Sequence, residues 1–187
     1  MDPQTPQRLT PPPHLPAELD NILSRSHLAG ASLEWLPDEA VPHPYHQLLV
    51  HDHDMTSELQ RFHADAITLE VIHSEQNENR YFREVTLHAS DCLSPVEYGL
   101  IEILLDHFPA ELRPKILAGD TPLGTILNAS GLAYHSQPQG FLSVPASTLK
   151  AVFPKSPGSE NLYGRYNHLI RSDDQSCLAR IIEILPR

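Results

Sequence analysis

The chain has 187 residues, of which 40% are hydrophobic and 20% charged, enough for one globular domain with a sizeable core and short for two. Its 24 acidic residues outnumber 13 basic ones, for a formal net charge of −11. With no Lys/Arg cluster in the chain, that balance argues against nucleic acid or an anionic membrane surface as a partner.

An anionic small molecule would therefore need a local basic site working against the global field. No apolar stretch approaches the ~18 residues of a membrane span. The start, Met1-Asp2-Pro3-Gln4, lacks the basic-then-apolar order of a signal peptide. Cys92 and Cys177 have no metal-type spacing and read as reduced thiols. A cytoplasmic enzyme or binding protein for small molecules is expected; the sequence carries no signal of its oligomeric state.

In chain order, residues 1–16 hold six prolines and read as a disordered tail, leaving 17–187 as a single domain. Leu19, Ile22, Leu23 and His27 or Leu28 fall at helical spacing and predict a short amphipathic helix over 17–28. Pro37, Pro42 and Pro44 then break regular structure. Asp54 or Thr56 could cap a helix with Leu59 and Phe62 on one face. Residues 66–73 and 80–89 alternate as strands, and 75–79 between them suggests an antiparallel hairpin. Residues 96–105 are ambiguous because apolar residues fill both faces; Gly99 argues mildly for a strand. Short helices are expected over 109–117 and 122–127, a strand over 139–144 and a short helix over 146–153. Two strands, 161–171 and 177–185, close the chain around the turn Asp173-Asp174. Hairpin-joined strands with helices grouped between them predict an antiparallel α+β domain, and no repeat of 20–50 residues recurs.

Two charges sit on the wrong faces of these strands. Arg83 shares the more apolar face of its strand with Tyr81, Val85, Leu87 and Ala89. Glu183 is the only charge on a face with Ala179, Ile181 and Leu185. Charge on a core face is costly unless paired or used. The two could bridge each other, or the face could be open. Alternatively, they point a guanidinium and a carboxylate into one semi-buried pocket. Arginine suits a carboxylate ligand because its planar fork binds both oxygens.

Five short motifs carry a further signal. They are Asp54-Met55-Thr56 before a helix, the strand Arg80-Tyr81-Phe82-Arg83-Glu84, the turn Thr121-Pro122-Leu123-Gly124, the strand Leu162-Tyr163-Gly164-Arg165, and the terminal Ile182-Glu183-Ile184-Leu185-Pro186. Each is weak alone. Their order and spacing over residues 46–187 resemble the chorismate pyruvate-lyase family. The resemblance implies an antiparallel sheet of about six strands, with short helices and flap loops over an internal ligand pocket. It implies a carbon–oxygen lyase that splits chorismate into a hydroxybenzoate and pyruvate, with no cofactor and no metal. By the same resemblance, Arg83 and the Leu123 N–H would hold the ring carboxylate, and Met55 would add a main-chain contact in a flap. Glu183 would meet the ring oxygen at the far end and, if protonated, donate a hydrogen bond to the breaking ether. Arg165 is a further candidate, for the enolpyruvyl carboxylate. The alternative is a non-catalytic aromatic-acid-binding domain, because the effector domains of certain bacterial regulators resemble the family fold. The hydroxybenzoate isomer, 4-hydroxybenzoate first among them, stays open, as does the pathway consuming it.

Three other features read as ordinary. His51-Asp52-His53-Asp54 alternates its side chains and lacks an i, i+4 pair, so a solvated loop is expected rather than a metal site. Neither cysteine has a His/Asp constellation suggesting a nucleophile. Tyr134, Tyr163 and Tyr166 are expected in the core or a pocket wall.

Overall fold

The computed structural model describes residues 16–90, 92, 94–154 and 160–186. The Pro-rich tail lies outside the described residues, apart from Pro16. The fold is α+β. One seven-stranded antiparallel sheet runs in the order β1-β5-β6-β7-β4-β3-β2. Its strands are β1 (Glu34–Leu36), β2 (Ile67–Asn77), β3 (Arg80–Ala89), β4 (Glu97–Leu104), β5 (Tyr134–Pro145), β6 (Asn161–Arg171) and β7 (Cys177–Leu185). Among the described residues five short α-helices accompany it: α1 (Ala17–Ser24), α2 (Tyr45–Leu49), α3 (Met55–His63), α4 (Arg113–Ala118) and α5 (Leu123–Ser130). No helix among the described residues is long and apolar enough to cross a membrane.

Both faces of the central strands are buried, which explains why 96–105 has no clean alternation. One face is closed by α1: Leu19, Ile22 and Leu23 pack with Phe82, Tyr98, Leu100, Tyr166, Ile182 and Ile184. The opposite face carries the odd-numbered residues of β3, β4 and β7 and is roofed by α2–α5. Two apolar clusters form there. One joins Tyr81, Ile101 and Ile103 to Ile116, Leu123 and Leu127; the other joins Leu87 to Leu49, Met55, Leu59 and Leu185. The seam between these two clusters holds the site.

Several elements differ from the sequence expectation. Helix α1 ends at Ser24, although Leu28 is still buried. The β2–β3 hairpin is tighter than predicted: the ladder runs to Asn77↔Arg80, leaving Glu78 and Asn79 as the turn, with Glu78 at φ 45°. The polar residues Ser74–Asn77 are drawn into a strand by pairing rather than by their own propensity. Strand β5 begins at Tyr134, and the predicted helix over 146–153 is only a 3-10 turn at Ala146–Leu149. Strand β1 is three residues on the edge of β5, and α2 lies just after Pro44; neither has a strong periodic signal. Phe62 is 57% exposed, not packed beside Leu59.

Candidate active site

Asp54 caps α3. Its carboxylate accepts from the Ser57 N–H at 2.9 Å and from the Ser57 hydroxyl at 2.8 Å. This fixes the helix start and sets Met55 over the sheet. Helix α5 begins beside it, after the Thr121-Pro122 turn. The two starts touch so closely that a Cβ on Gly124 would lie 2.6 Å from Asp54 Oδ1 and 3.2 Å from Thr56 Oγ1. Leu123 is the first residue of α5, a position whose N–H has no intrahelical acceptor and which carries the positive end of the helix dipole.

Beneath these helix starts lies a cavity that is partly open to solvent. Arg83, Val85 and Leu87 from β3, Glu97, Gly99 and Ile101 from β4, and Ile181 and Glu183 from β7 form its floor. Met55, Leu123 and Gly124 roof it. The structure thus brings Arg83, Glu183, Met55 and Leu123 to one cavity. Strand register explains the arrangement. Arg83 pairs with Ile101 and Ile101 with Ile181, whereas Glu183 pairs with Gly99 one step along the same face. Arg83 and Glu183 are therefore separated by two strand spacings of about 4.8 Å and two residues of about 3.3 Å each. They approach the cavity from different ends rather than bridging each other.

Arg83 is 2% exposed. Its guanidinium makes a 3.4 Å hydrogen bond from Nη1 to the Thr121 carbonyl and lies 5.7 Å from the Tyr81 ring centre. Among the described residues it forms no ion pair, and its Nε–H has no acceptor. Burial lowers its pKa, opposed by the neighbouring Tyr81 and Asp120. A buried cation left this free is costly for a protein to keep without an anion to meet it. The Thr121 contact also holds the guanidinium beside the start of α5, next to Leu123.

Arg165 is placed differently from its expected role. It is fully buried behind the cavity and does not line it. Its Nε donates to Glu183 Oε2, while its remaining nitrogens donate to the carbonyls of Leu49 (3.3 Å), His51 (3.0 Å) and His53 (3.1 Å). The guanidinium is consumed in tying loop 49–53 to the sheet, so no fork remains for the enolpyruvyl carboxylate. Gly164 permits this packing: a Cβ there would fall 2.3 Å from the Glu183 carbonyl oxygen. The same ion pair occupies one oxygen of Glu183, which accepts from Arg165.

Glu97 is the residue that sequence reasoning missed. It is buried on the cavity floor, and its Oε2 has no hydrogen-bond partner. Its carboxyl leans back over Gly99: a Cβ there would sit 3.2 Å from Glu97 Oε1 and 3.1 Å from Val85 Cγ2. Gly99 is cross-strand from Glu183, so the two carboxyls are neighbours. Burial first, then the Glu183 charge, holds the Glu97 carboxyl well above the ordinary range, with Arg165 opposing. Glu97 therefore keeps its proton to higher pH than an ordinary carboxyl does. Once 97–104 is read as a strand, Glu97 is the sole charge on the face with Gly99, Ile101 and Ile103, the same signal that marked Glu183.

The His51–Asp54 run forms part of a loop over the sheet. His51, His53 and Glu58 bring ligand-type atoms within 4.8 Å of one another. Those atoms are already engaged. His51 Nε2 contacts the Leu48 carbonyl at 2.8 Å, its Nδ1 accepts from the His53 N–H at 3.2 Å, and Glu58 meets His53 Nδ1 at 2.9 Å and Arg61. Burial and Arg165 both lower the His51 pKa. Tyr163 packs on Tyr45 and Tyr166 lies in the α1-side core, while Tyr134 hydrogen-bonds Asn128.

No protein-family model matches the chain, and no curated protein matches it. Among solved structures, the crystal structure of PhnF from Mycobacterium smegmatis is similar to it, with a TM-score of 0.48 and 9% sequence identity. The match covers 71% of this chain and 63% of that one, so the chain spans less than two thirds of the length of that neighbour.

Proposed function

We propose that the protein is a chorismate pyruvate-lyase that forms a hydroxybenzoate, with 4-hydroxybenzoate first among the isomers. The observation that carries this reading is the buried guanidinium of Arg83, which meets no carboxylate among the described residues and faces a cavity whose other end holds two carboxyl groups. A ring carboxylate would complete Arg83 and take a second hydrogen bond from the Leu123 N–H at the positive end of α5. The apolar walls, Val85, Leu87, Ile101 and Ile181, suit a carbocyclic ring. The carboxyls would lie opposite the carboxylate, where chorismate carries its ether and hydroxyl oxygens.

The reaction asks little beyond this. In forming 4-hydroxybenzoate, the ether bond at ring C3 breaks and the hydrogen at C4 is lost. The ring becomes aromatic, which supplies the driving force. The protein must hold the substrate and manage charge on the departing oxygen. Arg83 and Leu123 supply the hold; the polar end supplies the charge management. An aromatic-acid sensor would need only the first of these, and the second favours the enzyme.

Incubation of purified protein with chorismate should release pyruvate and a hydroxybenzoate in equal amounts. Tight binding of 4-hydroxybenzoate with no pyruvate released would sink the lyase reading and leave the sensor in its place.

A further inference from the structure

Resting on the lyase reading, we propose that Glu97 and Glu183 act as an acid–base pair: Glu97 protonates the ether oxygen of chorismate while Glu183 removes the proton from ring C4. Both residues line the cavity on adjacent strands, with only the bare backbone of Gly99 between the carboxyl of one and the strand position of the other. Their surroundings divide the roles. Glu183 is held by Arg165 and is the acceptor. Glu97 has no cation of its own and an Oε2 with no partner, and carries the proton to give. Two like groups driven apart by environment are the usual way one site runs acid and base chemistry together.

The step balances. The C4–H bond breaks, its proton goes to Glu183, and its electron pair enters the ring. The C3–O bond breaks, and its electron pair stays on oxygen, which takes the Glu97 proton. The products are 4-hydroxybenzoate and enolpyruvate, which tautomerises to pyruvate in water. Glu97 is left ionised and Glu183 protonated, and one proton transfer between the neighbours restores the starting state. No oxidant or other reactant is needed.

Chorismate deuterated at C4 tests this directly. A competing route moves the C4 hydrogen within the substrate to the enolpyruvyl methylene, with no help from either carboxyl. The pair predicts that deuterium is lost to solvent and the pyruvate methyl is unlabelled; deuterium in that methyl overturns it. Glu97→Gln keeps the shape and the donor N–H but cannot give up a proton. It should bind 4-hydroxybenzoate within about threefold of wild type, which also certifies its fold, while its single-turnover rate falls about 10²-fold or more. The wild-type rate should fall at high pH as Glu97 ionises, and that limb should vanish in Glu97→Gln. The groups facing Glu97 are Glu183, Arg165 behind it, Asp54 in the roof and Arg83 across the floor; Glu183→Gln should slow the rate but keep the limb. An unchanged rate in Glu97→Gln overturns the pair and leaves the lyase reading standing. If wild-type protein releases no pyruvate at all, the lyase reading itself has failed and the pair falls with it.

Discussion

Strand β4 buries two glutamates five residues apart, and alternation sends them to opposite faces of the sheet. Glu102 meets three arginines: Arg180 at 2.9 Å, Arg80 at 3.3 Å and Arg25 at 3.4 Å. Among the described residues Glu97 meets none directly and leaves an oxygen unbonded. The same contrast runs through the arginines. Arg165 satisfies Glu183 and three carbonyls, whereas Arg83 has one long hydrogen bond and a free Nε–H. Among the described residues, the charges of Glu102 and Arg165 are solved by partners, whereas those of Arg83 and Glu97, at the cavity between the two apolar clusters, are left partly unsolved. Incomplete satisfaction next to complete satisfaction is what marks the site, more than burial alone.

The largest expected effect tests the solved half. Glu102→Ala strips three arginines of their shared partner and should destabilise the protein by about 3–5 kcal/mol, the usual result of breaking a buried pair from one side. Because Arg80 is 55% exposed and can relax into water, the low end is expected. Urea titration measures this, and a change under about 1 kcal/mol would show that the cluster is ornamental.

Glu97→Leu tests the unsolved half and should have the opposite sign. It replaces a buried, partly unsatisfied acid with a side chain of similar bulk, and a gain of about 1–2 kcal/mol is expected. The gain should grow with pH. The fold holds the Glu97 pKa well above the 4.5 of its unfolded counterpart, so folding takes up a proton as pH rises above that value. Its own contribution to stability is present below about 4.5 and is lost as pH rises. A stabilised variant that has lost turnover would tie the unsolved carboxyl to function.

A smaller effect comes from His168, away from the cavity. Burial, with help from Arg180, lowers its pKa to about 4 from 6.5. The unfolded chain binds the proton first as pH falls. The contribution of His168 is thus full above 6.5, declines between 6.5 and about 4, and is gone below. His168→Gln should flatten that part of the stability curve. It should not move the high-pH limb of turnover, which belongs to the other face.

Much of this arrangement is legible in the sequence, and the illegible parts have physical reasons. Strands β3, β6 and β7 alternate or carry dense β-branched residues, so their bounds follow from pattern. The misplaced charges Arg83 and Glu183 follow from the same alternation. Glu97 escapes because β4 is buried on both faces and its period is hidden; its Tyr98 and Leu100 serve the α1-side core while Ile101 and Ile103 serve the other. Arg165 escapes for a different reason. Its cross-strand neighbours are Phe141 and Glu183, but only the tertiary structure shows that its other partners are backbone carbonyls over a hundred residues away. The Gly164 and Gly124 contacts, too, arise from chain segments far apart in sequence.

The claim that one buried cation is left free for a ligand carboxylate is tested most directly by calorimetric titration of 4-hydroxybenzoate into wild-type protein and Arg83→Met. Methionine fills most of the arginine stem's volume without charge, so the fold should survive. The account predicts saturable binding to wild type and a loss of about 2–5 kcal/mol in the variant, a weakening of roughly 30-fold to several thousandfold. Equal affinity in the two proteins, or none in the wild type, would contradict it.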